Sequence, residues 1–260
     1  MSGSQAIVRR IRAKDFAVQA AAASAGAAIV PSLAPLLADA DEVVRELTVH
    51  CLAAVADPAA APALAGALPD PDPQVAMAAA RALEPVATPA EVPAVLRAYD
   101  REAQPLVRQQ LGLVLGRCIE PGNLADIRRR WSGEPDAEAR LGLTAALAKA
   151  GEHDARAMFC DGLRASAGQV RLRYLELAEY IGRDWLLPPL SDVLDDTTDL
   201  LRVAVDARPD LIQALRACDL AAWQIVRIGG ASLAFMTDRP TNYTPEQLAA
   251  IRQFVRSRFP

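Results

Sequence analysis

Apolar and polar positions recur along most of this chain at helical spacing, and the spacing itself repeats. Glu42-Val43-Val44-Arg45 opens the clearest copy; an apolar residue followed by Arg, or once by Ala, returns at Val75-Ala76, Val107-Arg108, Ala139-Arg140, Val170-Arg171 and Leu201-Arg202. The steps between copies are 31, 32, 32, 31 and 31 residues. Counted from the apolar residue of each pair, positions +3, +4, +7, +8 and +11 share one face of an α-helix. They read Leu47, Thr48, Cys51, Leu52, Val55; Ala78, Ala79, Ala82, Leu83, Val86; Gln110, Leu111, Val114, Leu115, Cys118; and Gly142, Leu143, Ala146, Leu147, Ala150. The fifth copy gives Arg173, Tyr174, Leu177, Ala178 and Ile181. Each copy predicts a helix with one buried stripe, here called a B helix. A period this constant predicts a repeat architecture in which each unit covers its neighbour's apolar face.

A second, shorter helical pattern lies between the B helices. Pro31 to Leu37, Pro62 to Leu68 and Pro93 to Tyr99 start 31 residues apart, with proline where a helix tolerates it, in the first turn. Looser copies span Leu124 to Trp131, Ala155 to Leu163 and Trp185 to Leu194. These predict A helices. The A-to-B turns are acidic and proline-rich, as in Asp39-Ala40-Asp41, Pro69-Asp70-Pro71-Asp72-Pro73 and Gly133-Glu134-Pro135-Asp136, and their acids are read as helix caps. Asp41, Asp72 and Asp136, four residues before the Arg or its equivalent, are read as its local partners.

Proline-x-leucine, an acidic turn, Val-Arg, then Ala and Leu at helical spacing resembles the HEAT repeat, in particular the short HEAT-like repeats of the phycobilisome bilin lyase type. The resemblance covers roughly residues 13–208. It implies an all-α, right-handed solenoid of about seven helix pairs, with 1–208 as the repeat region and 209–260 as an irregular helical cap of the same structural unit. It also implies that Arg45, Arg108, Arg140, Arg171 and Arg202 form a structural ladder bonding the acidic turns; a row of guanidinium groups binding phosphate or carboxylate is the other reading. Ala13-Lys14 falls 31 residues before Val44-Arg45 and suggests a degenerate first unit over Ile7 to Ala25. Pro209 shortens the sixth Val-Arg helix, with Asp210 to Ala217 and Leu220 to Phe235 as a last irregular pair. Thr244-Pro245-Glu246-Gln247 opens a final helix as a capping box.

In HEAT proteins the exposed B-helix face lines the concave side. Here positions +2, +5 and +6 bring Met77, Leu113, Leu141, Leu172 and Leu175 into one strip, rimmed by Arg81, Glu84, Arg117, Glu176 and Glu179. An apolar strip with a charged rim predicts a partner groove, unless curvature or the C-terminal helix covers it within the chain.

Composition adds limits. At 52% hydrophobic and 23% charged the chain has a core and no disordered signature. A formal charge of -4 gives no field for phosphate backbones, so nucleic acid is not the expected partner despite Arg128-Arg129-Arg130-Trp131. Cys51, Cys118, Cys160 and Cys218 lack ligand spacing and read as small hydrophobes of a reduced cytoplasm; no signal peptide or membrane span is expected, the best run, Phe16 to Leu37, being interrupted by Ser24, Gly26, Pro31 and Pro35. His50 and His153 have no second ligand at metal spacing. The expectation is a non-enzymatic adaptor without cofactor or metal, holding a protein segment in its concave groove. The alternative is an auxiliary enzyme subunit holding a ligand as the bilin lyase type would, and DNA handling comes third.

Overall fold

The computed structural model describes the backbone of residues 3–205, 208–231, 233–235 and 238–259, and within these the side chains of all but 205 and 208–211. The chain divides into two compact units, 1–146 and 147–260.

In the first unit the B helices are Glu42–Val55, Pro73–Leu83 and Pro105–Arg117, followed by Ala137–Ala150, which runs into the second. A helices precede them at Val30–Leu33 with Ala34–Ala38, Ala61–Gly66, Val92–Arg101 and Leu124–Gly133. Successive B helices pack side by side, Glu42–Val55 against Pro73–Leu83 and that against Pro105–Arg117. The expected stripe is the core: Leu47, Leu52, Ala79, Leu83, Leu111, Leu115 and Leu143 are buried, each large aliphatic side chain contributing about 2 kcal/mol by leaving water. Ala150 is the stripe position that ends exposed. The turn acids cap as expected, Asp41 accepting from the Val43 N–H, Asp72 from those of Gln74 and Val75, and Asp136 from those of Glu138 and Ala139.

One N-terminal expectation changes. Ala13-Lys14 does not open a B helix; it ends Gly3–Arg12, with Lys14 in a left-handed conformation and its ammonium 2.6 Å from Asp41. The first B helix is Gln19–Ala25 instead. Phe16–Ala38 is long and apolar enough to be a candidate membrane span, but it is built as short α and 3-10 pieces broken at Gly26, φ 59°, and it buries Val18, Ala22, Ile29, Leu33 and Leu36.

The second unit holds His153–Ala165 as an A helix and Gly168–Ile181 as a B helix, then Leu187–Ser191, a hairpin and two helices, Ala217–Gly229 and Pro245–Arg258. The hairpin overturns the expected sixth Val-Arg helix and the helix from Asp210: Asp199–Val205 (β1) and Arg208–Arg216 (β2) pair antiparallel. Leu201-Arg202 would have placed Arg208 and Pro209 at +7 and +8 of its core stripe, so that helix had a charge and a ring where its neighbours have Leu or Ala. Val203 and Val205 suit the pleated alternative. The helix expected over Leu220 to Phe235 is observed as Ala217–Gly229; residue 232 lies outside the described residues. Thr244 and Gln247 form the expected capping box, and Ile251 and Val255 of the final helix are buried.

Candidate functional site

The ladder is real in geometry but is built between repeats rather than within them. Arg45 donates through Nε and Nη2 to Asp70, at 2.7 and 3.0 Å, and through Nη1 to the backbone oxygens of Asp39 and Ala40. Arg108 repeats this: Nε and Nη2 donate to Glu134, both at 3.1 Å, and Nη1 to the carbonyls of Glu102 and Ala103. Arg171 bonds the Asp196 carboxylate and the Arg164 carbonyl. Each guanidinium thereby clamps its own A-to-B turn to the next such turn, 25 or 26 residues on. Asp41, Asp72 and Asp136, expected as local partners, cap their helices and leave the clamp to the acid two residues earlier in the following turn.

That earlier acid does two jobs. Asp70, Glu134 and Asp196 each also accept the backbone N–H two residues on, fixing the turn that the arginine grips. The sequence carries the signal: Asp39, Asp70, Glu102 and Glu134 recur at steps of 31, 32 and 32. In the Arg108 rung the Tyr99 hydroxyl donates to Glu134 at 2.6 Å. Burial pushes the Tyr99 hydroxyl far up and the Glu134 carboxylate reinforces this. Burial alone would raise Glu134, but the Tyr99 and Arg108 hydrogen bonds outweigh it and hold the carboxyl below its ordinary range. Asp196 behaves alike, its turn and Arg171 bonds overcoming burial.

Two predicted rungs differ. Arg140 is half-buried and has no carboxylate at the ladder offset, where the chain carries Ala165 and Ser166; Arg202 stands exposed on β1.

The predicted concave strip does not lie open. Leu141 and Leu172 are each 7% exposed and Leu175 1%, so these three belong to the packed interior. In the second unit Ala217–Gly229 packs on Gly168–Ile181, with Gln224 donating to the Leu175 carbonyl at 3.4 Å and Arg227 paired to Glu179 at 2.7 Å. A C-terminal helix thus covers that B-helix face. Glu176 and Glu179 stay exposed at its edge. In the first unit Met77 and Leu113 are half-buried, and Arg81 and Arg117 are exposed.

The remaining candidates have structural partners. Of the basic run, Arg130 pairs with Asp100 at 2.6 Å and Arg129 with Asp126 at 3.0 Å, while the Trp131 indole donates to Thr144. His50 lies 3.6 Å from Glu46 and His153 3.2 Å from Asp154. Among the described residues no three His, Cys, Asp or Glu side chains gather as a metal site. Desolvation raises all four thiols, Cys51 and Cys118 to about 11, which disfavours the thiolate that nucleophilic attack requires. In a timed thiol titration of the folded protein, half-buried Cys160 is expected to react before the other three, which react with unfolding; fastest labelling at Cys51 or Cys118 would contradict the burial.

Comparison with known proteins agrees with this architecture. Residues 30–116 match the family description HEAT repeats. Among solved structures the chain is similar to one in the complex of CpcE and CpcF of phycocyanin lyase from Nostoc sp. PCC7120. The identity is 15% and the TM-score 0.60, over 98% of this chain and 94% of that one. A second similarity, to human deoxyhypusine hydroxylase in complex with glycerol, has 14% identity and a TM-score of 0.36 over the same shares, too low to show a shared arrangement. Among curated proteins none matches. At these identities the likeness establishes the fold and leaves the activity open.

Proposed function

The chain carries HEAT repeats over residues 30–116, and from that premise we propose that it is a non-catalytic scaffold that binds a partner protein along the inner B-helix faces of its first unit. The observation that carries the reading is the division of labour among the charged side chains. Arg45, Arg108 and Arg171 are consumed in clamps between turns, whereas Arg81 and Arg117 stand exposed on successive B helices beside half-buried Met77 and Leu113. An apolar centre with an arginine rim suits an amphipathic helix with an acidic edge. The likeness to a chain of a two-protein complex supports a role as one subunit of an assembly.

The same likeness favours a second reading, an auxiliary subunit that holds a ligand for a lyase-type reaction. The raised thiols count against a covalent anchor on this chain, so such a ligand would be held by noncovalent contacts. The experiment is affinity capture from native lysate with wild type beside Arg81→Glu/Arg117→Glu, followed by titration of the purified partner. Both sites are exposed, so folding is preserved and the dissociation constant should rise about tenfold or more. An unchanged constant would place the contact elsewhere, and co-purification of a chromophore would favour the second reading.

A further inference from the structure

Inside the first unit the ladder is interrupted at Ala76, and a cleft lies beside the two turns that a rung there would join. Where the other copies have Arg45 and Arg108, the second has Ala76, itself 2% exposed. The acceptors that such a rung would use are nonetheless present. Counting as for Arg45 and Arg108, its own-turn carbonyls are those of Asp70 and Pro71, and among the described residues neither accepts a hydrogen bond. Its next-turn acid, at the same offset of 26 as Glu134 from Arg108, is Glu102. Glu102 accepts the Gln104 N–H at 2.7 Å, the same turn bond that Asp70 and Glu134 make, and among the described residues no ion pair engages it.

Asp70 and Glu102 both line a cleft of about 730 Å³ between the A helices Ala61–Gly66 and Val92–Arg101. The cavity beside the filled Arg108 rung, lined by Tyr99, Arg130 and Glu134, is about 270 Å³. Leu68, Ala94 and Ala98 give the larger cleft an apolar wall suited to an alkyl stem. Its other acids are engaged, Asp70 by Arg45 and Glu91 by Thr88. Exposed Arg97 and Arg101, one helical turn apart, also line it; they would repel a bare cation and attract a carboxylate.

We propose that this cleft docks an arginine of a partner protein, the guanidinium taking the rung that Ala76 leaves empty while a carboxylate beside it on the same segment meets Arg97 and Arg101. The Asp70 carbonyl and the Glu102 carboxylate, on residues that line the cleft, are the counterparts of groups that hold a guanidinium at the Arg45 and Arg108 rungs. The site lies among the A helices, so it goes beyond the scaffold reading and stands or falls separately from the B-helix faces.

The test uses the full chain and N-acetyl-L-arginine, which carries both charges, with N-acetyl-L-citrulline as its neutral side-chain counterpart, followed by amide NMR. The expected result is a saturable shift of the amides of Asp70, Asp72 and residues 98–102 with the arginine compound and none with citrulline. E102Q, which keeps the turn acceptor, should weaken binding about tenfold or more, and A76R should abolish it by filling the rung from within. Should A76R fail to fold, E102Q decides. Absence of a saturable shift, equal shifts with citrulline, unchanged binding in E102Q, or full reproduction of the shifts by acetate alone would overturn the proposal.

Discussion

Gly142→Ala is expected to destabilise the protein by about 2 kcal/mol, although alanine is the better helix former. In an open helical position the change would gain up to about 1 kcal/mol from propensity. At Gly142, however, an added Cβ would lie 2.3 Å from the backbone oxygen of Gln109 and 2.8 Å from its Cα. The obstacle is main chain of the neighbouring B helix, which no rotamer change relieves. On the facing side, a Cβ at Gly112 would meet the Leu143 nitrogen at 2.9 Å, so Pro105–Arg117 and Ala137–Ala150 approach through two glycines. Separating two packed helices costs about 1–3 kcal/mol or more, and that exceeds the propensity gain. Gly66→Ala is the matched control: it is helical and its Cβ would meet nothing within 4 Å, so a small gain is expected. Denaturant midpoints of the two variants should move in opposite directions. A gain for Gly142→Ala would mean that the helices are not in this contact.

These glycines also mark where reading the chain as a string succeeds and where it stops. Helix period, stripe and caps are local, so the A and B helices could be placed from spacing alone. Gly142 was legible as a core position but not as a contact point, because its partner lies 33 residues earlier, at Gln109. The ladder arginines were legible as a set, yet their acids were assigned to the same turn, since sequence proximity favours Asp41 over Asp70. The recurrence of Asp39, Asp70, Glu102 and Glu134 held the correction in plain sight. The inner strip failed for another reason: facing positions on a B helix do not reveal whether a later helix covers them, and Ala217–Gly229 packs on Gly168–Ile181 at Leu175. At Leu201-Arg202 the repeat mark predicts a helix that Pro209 shortens, but the period carries no information on strand pairing, and Asp199–Val205 pairs with Arg208–Arg216 instead.

Glu134→Ala should cost about 3–5 kcal/mol, the largest loss expected of any rung. Its side chain is 5% exposed and that of Arg108 16%, so solvent screening is slight. Removing the carboxylate strands a buried guanidinium, leaves the Tyr99 hydroxyl without its acceptor and frees the turn at Asp136. Asp100→Ala removes a shorter ion pair, but Asp100 is half exposed and Arg130 keeps the Asp126 carbonyl and carboxylate beside it, so its expected cost is smaller, about 1 kcal/mol. The pH dependence separates charge from shape. Because the folded carboxyl of Glu134 sits below its ordinary range, its contribution is complete above the unfolded value of about 4.3 and is lost as the pH falls through the lower folded value. Glu134→Gln keeps an acceptor for Tyr99 and removes the titration, so its deficit relative to wild type should be greatest near neutrality and shrink as the medium is acidified. Denaturation of both proteins from pH 7 to pH 3 measures this directly, and a deficit independent of pH would show that the rung holds its turns by shape rather than by charge.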